Sequence, residues 1–187
     1  MRSLKKRRKH LLYGIIIFNL LILACAHLPC YLDKKEMDRV KKVAIFPFRN
    51  LTKNPHAREI VTQIFLAELG KSERFEVEEL GNIVDFMVEQ RLRIGANLDR
   101  PRLRVLRKRY KIDAVILGNI LAFGEKDSLP YINLTARMVT TDTGKIIWKA
   151  FIEKNGDDYI KILNIGKIRS LNQLTTIVVK ELINSMG

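Results

Sequence analysis

Two cysteines pose the first chemical question in this 187-residue chain. Cys25 closes an uncharged run, and Cys30 follows five residues on, after Pro29. Thiols placed like this can form a disulfide, clip a metal or accept a lipid. A zinc site is poorly served, because two cysteines without a third leave it short of ligands and His10 and His27 fall on opposite sides of Cys25. The other reactive residue types add little. Beyond His27 there is only His56, and the chain has neither a G-x-S-x-G elbow nor a glycine-rich phosphate loop. Asp157 and Asp158 are adjacent in GDDY, where side chains diverge, so a capped turn fits better than an acid pair. The residues point to no catalytic centre, no metal and no cofactor, and the chain reads as a non-enzyme.

What precedes Cys25 favours the lipid. MRSLKKRRKH carries six Lys or Arg and no acid, and LLYGIIIFNLLILA, residues 11–24, carries no charge. A basic n-region followed by an apolar run of this length fits a secretory signal and falls short of the roughly 20 residues a bilayer span needs. Ile22, Leu23 and Ala24 lead into Cys25 in a pattern that resembles the lipobox of bacterial lipoproteins, with Leu23 where the motif usually has a small residue. That resemblance implies that residues 1–24 are a lipoprotein signal peptide and that the Cys25 sulfur is diacylated, leaving Cys30 a lone thiol. At about 0.8 kcal/mol per buried methylene, several acyl chains hold firmly. A Cys25–Cys30 disulfide would need the same sulfur. Stretched to His27 or Leu28, the apolar run just reaches spanning length, so an uncleaved signal anchor at the inner membrane remains the alternative.

The charge of the remainder is concentrated. The chain's net charge is +14, and setting aside the six cations of residues 1–24 leaves 28 basic against 20 acidic side chains. Nine cations, Arg91, Arg93, Arg100, Arg102, Arg104, Arg107, Lys108, Arg109 and Lys111, face only Glu89 and Asp99 over 89–111. The segment is either a solvated face or a surface for anionic groups: lipid phosphates, lipopolysaccharide or an acidic partner. Arginine suits the second role, because its planar fork binds carboxylate and phosphate in two places at once. Nucleic acid is not expected, since an exported domain does not meet chromosomal DNA and the chain's aromatics are not interleaved with the arginines as a stacking platform requires.

These residues need a scaffold, and the pattern predicts a single α/β domain of a size that folds without disulfides. Residues 25–40 read as a lipidated N-terminus and a short charged tether. KKVAIFPF, 41–48, reads as a buried first strand that ends at the sheet's edge near Phe46 and Pro47. AREIVTQIFLAELGKS places Ile60, Ile64, Phe65 and Leu69 at helical spacing, with Gly70 a stop. RFEVEEL, 74–80, alternates as a second strand. Asn82 is a candidate cap for the helix IVDFMVEQRLRI, and RPRLRVLRKRY, 100–110, predicts another with Pro101 in its first turn. IDAVILGNILAFGE, 112–125, is a long apolar strand whose Gly118 marks a bulge or a close contact. In YINLTARMVTTDT, Ile132, Leu134, Ala136 and Met138 share one face. Asp142 to Lys145 signals a tight turn into IIWKAFIEKN, where Trp148 reads as core. SLNQLTTIVVKELINSM, 170–186, closes the chain as a helix capped by Ser170 or Asn172. The order is β-α-β-α-α-β-β-β-α, one mixed sheet of about five strands flanked by helices.

VAIFPFRNLT, the stretch from Leu66 to Leu80, RYKIDAVILGNI and RMVTTDTGKIIWKA before a final helix together resemble the CsgG-type lipoprotein superfamily, which includes the curli secretion lipoprotein, the penicillin-binding-protein activator LpoB and GNA1162-like lipoproteins. The resemblance implies a TolB N-terminal-domain-like periplasmic domain over 41–187, held by lipid to the periplasmic face of the outer membrane. Ala26 after Cys25, rather than Asp, agrees with that sorting. It also implies envelope-protein partners and a capacity to form homo-oligomers. A secretion pore needs membrane hairpins with about ten alternating residues per strand, and both candidate hairpins here read as core sheet. An activator needs a long tether, and Cys25 to Lys41 extends at most about 55 Å. The expectation is therefore a non-catalytic docking or assembly lipoprotein of the cell envelope, with a pore subunit for extracellular fibres as the alternative.

Overall fold

The computed structural model describes residues 28, 30–160 and 166–187; the expected signal segment, Cys25 and residues 161–165 lie outside the described residues. Along the chain the elements are β1 (Cys30–Leu32), α1 (Lys34–Met37), β2 (Lys42–Ile45), β3 (Arg49–Asn50), α2 (Ala57–Lys71), β4 (Glu76–Val77), α3 (Leu80–Glu89), α4 (Arg100–Tyr110), β5 (Ala114–Lys126), β6 (Leu129–Thr140), β7 (Ile146–Asn155) and α5 (Leu171–Asn184). The strands form one mixed sheet in the order β1-β7-β6-β5-β2-β4, with β3 also on β5.

Alternation along the strands divides the core in two. Val43, Ile45, Ile116, Leu134, Met138, Trp148 and Ile152 point to one face, where Val61, Phe65 and Leu69 of α2 and Leu174, Val178 and Leu182 of α5 cover them. Ala44 and Val115, their neighbours in sequence, point to the other face with Val139, under Ile83 and Phe86 of α3 and Leu103 and Leu106 of α4. Burying each large apolar side chain contributes about 1.5–3 kcal/mol, so the two layers carry most of the stabilisation. Trp148 is fully buried and its indole N–H donates to Ser185 Oγ at 3.1 Å, which satisfies the one polar group of that side chain.

The β6–β7 turn falls where the DTG signal placed it. Gly144 has φ +70°, and Thr141 Oγ1 donates to the Ile112 carbonyl at 2.6 Å, tying the turn to the start of β5. Ser170 caps α5 by accepting from the Gln173 N–H. Ile132, Leu134, Ala136 and Met138 are all buried, as their period-two spacing requires.

Four expectations change. The sheet has seven strands rather than about five, because β1 and β3 are three and two residues long and too short to show an alternation. Residues 30–40 are part of the domain rather than a free tether: β1 pairs antiparallel with β7, from Cys30 opposite Ala150 to Leu32 opposite Trp148, and Met37 and Val40 are buried. The 41–48 strand lies inside the sheet, between β5 and β4, not at its edge. Asn82 caps nothing; α3 begins two residues earlier, and the Asn82 side-chain amide donates to Glu78 at 2.6 Å.

Candidate anion-binding face

Helix α4 is the element that organises the basic segment. Asp99 stands at its N-cap and accepts from the Arg102 N–H at 3.1 Å, satisfying an otherwise orphaned donor. Pro101 occupies the first turn, where its missing N–H costs nothing. Leu103 and Leu106 are buried and lock the helix to the sheet. Lys111 ends it in the left-handed conformation at φ +59°.

With the inner face fixed, helical geometry sorts the cations. Arg100, Arg104, Arg107, Lys108 and Lys111 recur at the spacing of a single helix face, and all five are exposed. Three of them lie at the helix C-terminus, where the backbone dipole favours positive charge. Among the described residues, Arg107 alone in this row touches a carboxylate, with Nη1 3.6 Å from Asp142 Oδ2. Burial pushes the Asp142 carboxyl up, but hydrogen bonds from Thr143 and Thr140 and the Arg107 charge leave it below its ordinary value.

Four expected residues fall outside this row, two of them on the helix. Arg102 pairs with Asp99 at 2.7 Å, and Arg109 pairs with Glu89 while its guanidinium lies 5.0 Å from the Tyr110 ring centroid. Their charge is matched at home. Arg91 and Arg93 stand on the α3–α4 loop, both exposed.

The loop brings in residues that sequence spacing did not show. A narrow crevice, open to solvent, lies between the loop, the end of β2 and the middle of β5 and β6. Arg93 lines it together with Asn119 of β5 and Arg137 of β6. The Arg137 Nη2 donates to Asn97 Oδ1 at 3.1 Å, holding loop and strand together. Arg49 of β3 packs its aliphatic stem against Gly95, whose φ is +81°. Only the outward parity of Arg137 within YINLTARMVT could have flagged it. Among the described residues no three of His, Cys, Asp and Glu converge as metal ligands, and no helix is long and apolar enough to cross a membrane.

No protein-family profile matches the sequence, and no curated protein matches it either. Solved structures do share its fold. The PelC dodecamer from Paraburkholderia phytofirmans aligns with a TM-score of 0.55 at 15% identity, over 79% of this chain and 88% of that one. The lipoprotein GNA1162 from Neisseria meningitidis aligns with a TM-score of 0.51 at 16% identity, over 78% of this chain and 99% of that one. At these identities the likeness is one of fold, and it extends over nearly the whole of both relatives: a mixed sheet flanked by helices, as in GNA1162 and PelC.

Proposed function

We propose that the chain is a lipid-anchored, non-catalytic docking or assembly component of the bacterial cell envelope. In this reading residues 1–24 are a signal peptide, Cys25 carries the lipid and the domain works at the periplasmic face of the outer membrane. The observation that supports docking is the row of five exposed cations along α4 and its C-cap, held rigid by Leu103 and Leu106. Such a row presents charge to an anionic surface without asking flexible side chains to order around a mobile backbone.

The fold sharpens the anchoring geometry. Leu28 packs against the core, and three Cα–Cα steps of about 3.8 Å put Cys25 within about 11 Å of it. The domain is thus held close to its membrane. GNA1162, a lipoprotein of the same fold, supports the anchor by likeness of architecture.

A photo-crosslinking residue at position 104, compared in cells with one at Gln63 on the opposite face, tests the reading. A discrete crosslinked protein from position 104 alone, lost when Cys25→Ser abolishes palmitate labelling, is expected. Equal or absent crosslinking at the two positions would overturn it. A second reading, a secretion-pore subunit, draws on PelC, whose structure is a dodecamer. Large assemblies of the native protein in detergent would favour that reading, and monomers or dimers would favour docking.

A further inference from the structure

We infer that, with the lipid-anchored reading above as its basis, the strip formed by β1 and β7 on the α3–α4 side of the sheet rests on the phospholipid surface that holds the N-terminal arm. The sheet residues buried beneath α3 and α4, Ala44, Val115 and Val139, come from β2, β5 and the end of β6, and none comes from β1 or β7. Leu117 packs partly under these helices. Arg137 stands opposite it, Lys149 opposite Arg137 and Tyr31 opposite Lys149, so all four point to this side. Phe151, two residues beyond Lys149, and Ile146, opposite the buried Val139, point there too. Tyr31 is 51% exposed, Ile146 41% and Phe151 37%, whereas Trp148, Ala150 and Ile152 on the other side of β7 are all buried. One exposed apolar residue is ordinary, but three on one side of two adjacent strands make a patch.

The chain that leads out of the structure points to what covers the patch. Cys25 lies three residues before Leu28 and Tyr31 three residues after it, so at most about 23 Å of chain separates Tyr31 from an anchor at Cys25. A bilayer holding that anchor is therefore within reach of the strip. The residue types suit its headgroup layer: the Tyr31 ring with its polar tip, the apolar Phe151, and Lys149, whose stem lies along apolar surface while its charge meets lipid phosphate. Glu153, the next acid on this side, accepts from Tyr131 Oη at 2.6 Å and from the Asn133 amide at 3.1 Å, so its carboxylate is engaged by β6. A patch this small binds weakly by itself. A short tether makes it count, because it holds the strip beside the membrane at an effective concentration on the order of millimolar.

The strip shares no residue with the row on α4 and stands or falls apart from docking by that row. Its test places a benzophenone side chain at position 31, at 151 or at Gln63 on the opposite face of the full chain, purified from cells and reconstituted in vesicles of phosphatidylethanolamine and phosphatidylglycerol. Mass spectrometry of the illuminated samples is expected to show lipid adducts from 31 and 151 several-fold above those from 63. Nearness alone also labels lipid, so a second arm adds Phe151→Glu to the chain labelled at 31. A charge placed in the seated patch should lower the lipid yield at 31 several-fold, and because Phe151 is exposed the core is left intact. The mass of the N-terminal peptide reports acylation of Cys25 separately. Lipid adducts from 31 and 151 without acylation would uphold the strip and remove the acyl anchor, whereas no such adducts would overturn the strip whether or not Cys25 is acylated. Adducts to a second copy or to another protein, a yield from 63 equal to that from 31 and 151, or an unchanged yield in the Phe151→Glu chain would also overturn it.

Discussion

Gly118 of β5 lies against the ring of Phe48, so that a Cβ at position 118 would overlap ring atoms. The ring has nowhere to go. Phe48 is fully buried, its centroid is 5.3 Å from that of Phe65, and its N–H donates to Thr62 Oγ1 at 3.1 Å. Gly118→Ala is expected to cost about 1–3 kcal/mol through overpacking. For a chain of this size that lowers the melting temperature by about 2–4 °C per kcal/mol. A melting temperature equal to that of the parent chain would show that the ring relaxes freely.

The row on α4 makes a claim about charge placement that total charge does not. Replacing Arg104, Arg107 and Lys108 with Gln should weaken binding to anionic vesicles or immobilised polyglutamate by about tenfold at low salt, since three exposed contacts of about 0.5 kcal/mol each sum to that. The difference should shrink as ionic strength rises. Removing the same amount of charge at Arg102, Arg109 and Arg74 should do much less, because Arg102 and Arg109 are paired with Asp99 and Glu89 and Arg74 bonds the Gly187 carbonyl. Equal losses from the two triple variants would mean that net charge alone is read.

A buried carboxylate links stability to pH. Glu78, 8% exposed, sits 2.9 Å from the Lys42 ammonium, which Glu76 also approaches at 2.8 Å. Burial pushes the Glu78 carboxyl up, but hydrogen bonds from Asn82 and Lys42 and the Lys42 charge outweigh it and hold the group below its ordinary value. A carboxyl depressed in the folded state contributes stability that is fully present above its unfolded value, about 4.3, and is lost as pH falls through the folded one. Glu78→Gln should therefore destabilise by about 1–3 kcal/mol at neutral pH, with the gap to the parent closing below about pH 4. Parallel urea-unfolding curves at both pH values would contradict this.

Much of this architecture was legible because local and global preferences agree. The bounds of α4 and β7 follow from RPRLRVLRKRY and IIWKAFIEKN, where capping residues and alternation mark both ends. β1 was not legible: three residues, CYL, carry no period, and their strand exists only because β7, far along the chain, offers an edge. The site divides in the same way. The residue types of 91–111 were visible in the sequence, but which of them share a face depends on the exact phase of one helix. Arg109 is separated from the row by only one or two residues in sequence and by half a turn in space. Arg137 joins Asn97 across forty positions, a contact that only the folded sheet creates.

The closeness of the domain to its proposed membrane anchor depends on Asp33. Its Oδ1 accepts from the Glu36 N–H at 3.2 Å, which caps α1, and its Oδ2 accepts from Lys145 Nζ at 2.6 Å, which fastens the arm to the β6–β7 turn. The Lys145 hydrogen bond, together with that from Glu36, holds the Asp33 carboxyl below its ordinary value. The backbone N–H of Asp33 donates to the Ile147 carbonyl at 2.7 Å, continuing the β1–β7 ladder past Leu32. Asp33→Ala removes both side-chain contacts and leaves the β1–β7 ladder and the packing of Leu28, Leu32 and Met37 to hold the arm. Hydrogen exchange at the amides of Tyr31, Leu32 and Asp33 should then accelerate several-fold while the interior of α5 stays protected. Release of the arm would raise the reach of the domain from Cys25 from about 11 Å to about 55 Å, because the first fixed residue would become Lys41 rather than Leu28. In a lipid-anchored sample, energy transfer from the membrane to a dye at position 176 should fall accordingly. Unchanged exchange in the variant would show that Leu28, Leu32 and Met37 hold the arm by apolar packing alone.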